Sequence, residues 1–477
     1  MTSEYLPGNI TRASGLLPED AARLRELVNT FHRHRSANAI KRKYYEGHIP
    51  LRDVNLGLAL PRSIAGLEID CAWGEKAVDV LAARSRFDGF VGANGQELEQ
   101  LAQIVRDNRL VAEYNKTCRD ELLYGCTFAT LSADPVIGCK IRFHSPESAA
   151  ALWDGEKGRI GCGFAVIDTV QDEYDHSWLS SHVNLYTDDA VVELTRPKKG
   201  YQWTAEYLPN RVGRVLMEPL TWNATTMKPF GRARLKSAVR RLIQGYVRTI
   251  CNATIGLEFS TAPQKYLMGV TDDQYDAIVS DKFQAYVGAI IAGTQNPETG
   301  QNPVFGQLAQ GTIEPHVQMM RLLSTQFSAA TGLSVSDVGV VNDANPTSSD
   351  AIEAQTKTLA ALAEELNKAN ADALYQIALM ALALANQTPI DRLTEEQRSV
   401  TAHFKNPTMA SLAATADAAM KIASARPGFA QTDVFMEMVG FDQAEIRRIK
   451  AQETRARGLA VLEELTNEDE SDDDLQI

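Results

Sequence analysis

The chain carries side chains suited to metal, phosphate or acyl chemistry, but not at the spacings those chemistries need. His32 and His34 lie two apart in a helical stretch and so point in different directions, and no HExxH cluster accompanies them. Asp272, Asp273 and Asp276 bring three carboxylates close in sequence. Their run lacks the ligand order of an EF-hand, and reads better as a helix N-terminus whose acids meet the positive end of the macrodipole. A motor ATPase needs a glycine-rich loop of the form GxxxxGK followed by Ser or Thr, whose backbone amides cradle phosphate; the chain has none. It also has no GxSxG elbow to present a nucleophilic serine. Six cysteines, at positions 71, 118, 126, 139, 162 and 251, form no CxxC pair. They read as reduced, buried thiols of a cytosolic protein. No catalytic residue, metal site or cofactor is expected.

Charge is the remaining chemical resource, and it is unevenly placed. The net charge is −13, but eight acids and no bases fall between Glu463 and Asp474, so the body alone carries about −5. Between Lys228 and Leu257 stand seven bases and no acid: Lys228, Arg232, Arg234, Lys236, Arg240, Arg241 and Arg248. A tight DNA binder would show a broad basic face. One basic helix in an acidic chain fits weak contact with DNA, or contact with an acidic neighbour. Two readings of it stand open: a solvated or subunit-facing surface, or a lining turned toward a channel or an acidic partner.

The elements that must position these residues follow from periodicity and punctuation. The chain has 477 residues, 44% hydrophobic and 23% charged, too long for one simple core. No apolar run is long enough to span a membrane, and the opening MTSEYLPGNITRASG does not read as a secretory signal. Helices are predicted over 18–45, 72–84 and 96–124. From about 126 to 220, short β-branched and aromatic runs separated by Gly, Asp, Asn and Pro predict an antiparallel meander. A long helix over 231–258 carries Leu235, Val239, Leu242, Tyr246, Ile250, Ala253 and Leu257 as a narrow apolar seam, and would span roughly 40 Å. A mixed module over 262–313 holds a turn-rich loop, Gly293 to Pro303. A helix over 314–331 precedes a Gly- and Asn-bearing break, 332–348, which cannot continue either neighbouring helix. A very long helix runs from Ser348 or Ser349 to about Ala385, followed by helical segments near 394–400, 408–425 and 431–463. The last twelve residues read as an acidic, disordered tail.

Three stretches give this order of elements a family likeness: PFGRARLKSAVRRLIQGYVRTICNATIGLEFSTAPQKYLMG (229–269), NPVFGQLAQGTIEPHVQMMRLLSTQFSAATGLSVSDVGV (302–340) and NPTSSDAIEAQTKTLAALAE (345–364). The earlier KYYEGHIPL (43–51) and RFDGFVG (86–92) add to it. The chain resembles the portal proteins of long-tailed double-stranded DNA bacteriophages. That resemblance implies an α+β, mainly helical portal fold with wing, stem, clip and crown, assembling as a ring of about twelve copies. The implied parts are a wing over 1–225, a first stem helix within 226–261, a clip over 262–313 and a second stem helix over 314–331. A tunnel loop over 332–348, a long wing helix and linker over 349–407, a crown over 408–465 and the acidic tail over 466–477 complete it.

The resemblance also implies a function: a channel at one capsid vertex through which DNA is packaged and ejected. Its partners would be other copies of itself, the terminase large subunit, a head–tail adaptor, scaffolding protein, the major capsid protein and non-specifically held double-stranded DNA. Membranes are not among them. The protein would be found in the virion and, during assembly, in the host cytoplasm. The tunnel loop would place Val340, Val341, Asn342, Asp343 and Asn345 beside DNA, where small apolar groups without Lys or Arg add little ionic friction. The stem would carry the bases Arg232, Lys236, Arg240 and Arg241. The alternatives are another head-morphogenesis protein, such as a minor head protein, or an enzyme with an unrecognised site.

Overall fold

The computed structural model describes residues 8–50, 68–92, 98–171, 178–196, 202–261, 265–268, 304–307, 312–339, 349–408, 412–441 and 443–473, with a few single positions between them. The helices are α1 (Pro18–Glu46), α2 (Trp73–Ala82), α3 (Glu99–Asp107), α4 (Leu110–Tyr124), α5 (Ser237–Thr261), α6 (Glu314–Thr331), α7 (Ser349–Ala385), α8 (Leu412–Ala425), α9 (Asp433–Val439) and α10 (Gln443–Asp473). The strands are β1 (His48–Pro50), β2 (Glu68–Asp70), β3 (Phe87–Val91), β4 (Cys126–Asp134), β5 (Gly138–His144), β6 (Ala149–Asp154) and β7 (Arg159–Gln171). They continue with β8 (Trp178–Tyr186), β9 (Ala190–Thr195), β10 (Thr204–Pro209), β11 (Met217–Thr221), β12 (Lys265–Met268), β13 (Val304–Gln307) and β14 (Thr401–Phe404). The class is α+β, as expected. The chain divides into two units, one of residues 1–45, 76–236 and 344–477, the other of residues 46–75 and 237–343.

In the first unit, α1 starts where Pro18, Glu19 and Asp20 suit a first turn. It buries Leu24, Leu27, Val28 and Phe31. This stripe meets a five-stranded antiparallel sheet of order β10-β9-β8-β7-β6, in which neighbours in space are neighbours in sequence. Phe164, Val183, Leu185, Val192, Leu194 and Trp203 supply the sheet's side of the core. Phe31 meets Phe164 edge to face, with ring centroids 5.8 Å apart. The predicted meander is therefore present, but the region holds two sheets: β11, β4 and β5 form a separate three-stranded one. The first six residues of β4 are all buried. α7 packs against this sheet. Its run Leu374–Ala383 is apolar on nearly every side, and Leu374 and residues 377 to 383 are buried all round the helix.

The helix predicted over 96–124 is two helices. The backbone turns at Arg109, whose φ is 50°. Asn108 causes the break: its amide donates to the carbonyls of Ile104 and Cys139, and its oxygen accepts the Ile141 N–H at 2.8 Å. One buried side chain thus ties the end of α3 to β5. Further on, β3 pairs with β14, bringing Phe87, Phe90, Tyr114 and Phe404 together at centroid distances of 5.1 to 5.7 Å. The segment predicted as one helix over 431–463 is α9 and α10, divided at Gly440, whose φ is 115°. α10 continues to Asp473, so the acidic run expected to be a disordered tail has helical backbone as far as that residue.

In the second unit, β1 pairs with β2 and β12 with β13, both antiparallel, and α5 packs along α6. Among the described residues no helix is long and apolar enough to cross a membrane.

Candidate functional site: the α5–α6 hairpin and its loop

The approach to α5 is set by close backbone packing. Gly231 has a φ of 69°, and a Cβ there would lie 2.4 Å from the Trp222 carbonyl oxygen. Arg232 and Arg234 donate their backbone N–H groups to Trp222 and Leu122. The helix therefore begins at Ser237 rather than near 231. Arg232 and Lys236, expected on the helix, precede it and are exposed. Arg234 is buried; its Nε donates to the carbonyl of Ala77, and desolvation lowers its pKa to about 10. This base is structural. Arg240 is half-buried, whereas Arg241 and Arg248 are exposed and, seven residues apart, share one face of α5. The seven bases thus do not make one continuous stripe.

The buried seam agrees with the predicted one at Leu235, Val239 and Ala253 and shifts by one position between Val239 and Ala253. Val239, Ile243, Val247 and Cys251 are 4% exposed or less, spaced by four. Leu242, Tyr246 and Ile250, expected at the seam's centre, are only half-buried, and Leu257 is 47% exposed. The inner partners come from α6: Leu323 and Phe327 are buried. Gly245 lets the two helices approach, since a Cβ there would stand 3.3 Å from a Leu323 methyl. Trp73 closes the arrangement, stacked on Tyr246 at 4.0 Å and tilted against Phe327 at 4.6 Å. On the outer face of α6, Met319 is 44% and Leu322 52% exposed.

α6 ends at Gly332, whose φ of 72° lets its N–H reach the Ser328 carbonyl at 2.8 Å. Ser328 Oγ donates to the Leu333 carbonyl, and Ser334 and Asp337 close a reciprocal turn, each accepting the other's backbone N–H at 3.1 Å. Val338, within the 332–348 loop, is 8% exposed. Val340, Val341, Asn342, Asp343 and Asn345 lie outside the described residues. So does most of the 262–313 module, including nearly all of Gly293 to Pro303. What is described there is a two-stranded antiparallel ribbon, β12 against β13.

Among the described residues, no three His, Cys, Asp or Glu side chains are grouped to hold a metal ion. All six cysteines are buried and unpaired with one another. Desolvation pushes the thiols up, Cys71 and Cys162 to about 11 and Cys126 and Cys139 to about 12, so they are poor nucleophiles.

The described residues thus give an α+β unit of three sheets and a unit with a helical hairpin that carries exposed bases. The sequence profile described as phage portal protein, SPP1 Gp6-like, matches residues 89–458. The chain belongs to that family of phage portal proteins. No curated protein matches it in sequence. Among solved structures it is similar to a chain of the neck of an empty GTA particle computed with C6 symmetry, at 12% identity and a TM-score of 0.44, covering 80% of this chain and 94% of that one. It is also similar to a chain of the neck of a native GTA particle computed with C12 symmetry, at 12% identity and a TM-score of 0.44, covering 83% of this chain and 98% of that one.

Proposed function

We propose that the protein forms a closed ring of about twelve copies at one capsid vertex, and that DNA passes through it during packaging and ejection. The observation that carries this reading is the family match across residues 89–458, which takes in both helices of the hairpin. The half-covered apolar positions Leu242, Tyr246 and Ile250 on α5, with Met319 and Leu322 on α6, support it, because a cyclic interface would bury them between neighbours. In this reading α5 and α6 are the stem helices, 262–313 is the clip, 332–348 the tunnel loop and 408–465 the crown. The clip is the docking site for the terminase large subunit and later for the head–tail adaptor. Scaffolding protein and the major capsid protein are further partners, and the role is structural rather than enzymatic. Electron-microscope class averages of the purified protein should show a ring with a central hole. Only monomers, in every salt condition and with scaffolding protein present, would overturn the assignment.

A further inference from the structure

Five polar side chains meet inside the first unit without reaching solvent. Glu121 on α4 and Asn370 on α7 are 0% exposed, as is Tyr114 on α4. Ser85 is also 0% exposed and Asn367 on α7 is 8% exposed. Their hydrogen bonds have a determinable direction. Ser85 Oγ donates its one proton to Asn367 Oδ1 at 2.7 Å. The contact of 2.7 Å between Ser85 Oγ and the Tyr114 hydroxyl must then carry the tyrosine's proton. Tyr114 in turn accepts from Asn370 Nδ2 at 2.8 Å. The second hydrogen of the same Nδ2 goes to Glu121 Oε2, also at 2.8 Å. The chain of donors therefore runs from Asn370 through Tyr114 and Ser85 to Asn367, linking α7 to α4 and back.

Two atoms are left over. Glu121 Oε1 and Asn370 Oδ1 are both buried and both without a hydrogen-bond partner. Each is an acceptor if the carboxyl is ionised, and two acceptors cannot satisfy one another. One proton removes both deficits. Were the carboxyl neutral, Oε1 would carry a donor for Asn370 Oδ1 while Oε2 goes on accepting from Asn370 Nδ2, closing an acid–amide pair. The surroundings offer Glu121 no paired cation. On α4 it faces Tyr114 and Cys118; Cys126 approaches from β4. Arg119, half exposed, reaches Asp79 at 3.6 Å. Lys41 of α1 donates to Asn38 and to the Tyr124 carbonyl. α7 contributes the two amides.

We propose that Glu121 is held as a neutral acid, bonded twice to Asn370, and that this proton locks α7 to α4. Burial acts in the same direction, pushing the carboxyl up to about 8 against the opposing pull of the Asn370 hydrogen bond. The native chain then keeps a proton that the unfolded chain loses near the ordinary carboxylate range. The stabilisation is present in full at low pH and declines as pH rises through the interval between the two values. α7 begins at Ser349, directly after the 332–348 segment. The lock therefore secures the helix that receives that segment, whatever the segment's role in a channel.

The full chain and its Glu121→Gln variant distinguish the two protonation states. Glutamine keeps both bonds of the pair and cannot ionise. Thermal unfolding midpoints should nearly coincide at about pH 5, and the wild type should fall behind by on the order of a few degrees by about pH 9. Parallel profiles over that range would overturn the proposal. Infrared spectroscopy with 13C-labelled glutamate gives a direct readout: a protonated-carboxyl C=O band should be present in the wild type at neutral pH, vanish in alkali, and be weaker in Glu121→Gln, where, among the described glutamates, only Glu218, which burial raises to about 7, still contributes. Absence of any such band at neutral pH would equally overturn it.

Discussion

The two units bury apolar surface in different ways. In the first, α1 and the β6–β10 sheet enclose Phe164, Leu185 and Trp203 almost completely, and the Leu374–Ala383 run of α7 is covered round most of its circumference. In the second, each helix of the hairpin spends one stripe on its partner and leaves a second stripe of Leu242, Tyr246 and Ile250, or of Met319 and Leu322, half covered or open. A core that closes on itself needs no neighbour. A hairpin of two helices has too little inner surface to close, so its second stripe suits contact with another copy.

That contrast can be broken at the first unit's core most forcefully. Phe164→Ala removes a fully buried ring that meets Phe31, and should cost about 3–5 kcal/mol in denaturant unfolding. A smaller loss would mean that the sheet and α1 are less tightly joined than their packing indicates. Gly231→Ala forces a positive φ on a residue with a Cβ and drives that Cβ into the Trp222 carbonyl. It should cost at least ~2–3 kcal/mol in the same measurement and should not be rescued by high salt. Leu322→Ser lies at the other extreme. It should change the stability of the dissociated chain by no more than about 0.5 kcal/mol, yet weaken assembly as read by light scattering. Equal assembly in the variant and the wild type would remove α6's outer face from the proposed interface.

The long helices were the most legible part of the sequence. The helices predicted over 314–331 and from Ser348 or Ser349 to about Ala385 correspond to α6 and α7, because a proline or acid marks the start and a glycine or an apolar run's end marks the stop. The meander was legible as strands, but not as two sheets. Alternation along a strand says which residues share a face; it does not say which other strand lies beside it. β4 and β11 pair across about ninety intervening residues, and only tertiary packing brings Met217 opposite Thr130.

The candidate site divides along the same line. Periodicity located the two hairpin helices, since these depend on residue types a few positions apart. Between Val239 and Ala253 it misplaced the α5 seam by one position, because Leu242 and Ile243 are equally apolar and adjacent. The choice between them depends on where Leu323 and Phe327 approach, and a single helix does not contain that information. The bases divided likewise: Arg234 turns inward because the Ala77 carbonyl is there to receive it, while Arg241 and Arg248 face out. Neither Asn108's break in the predicted helix nor Glu121's pairing with Asn370 had any local signal. Each joins groups from elements remote in sequence, 33 residues apart for Asn108 and Ile141 and 249 for Glu121 and Asn370. Residue type and spacing determined where the long helices and the strands of the meander lie. The folded chain alone decided which polar groups are buried together, because the low dielectric that makes such groups depend on one another exists only after packing has excluded water.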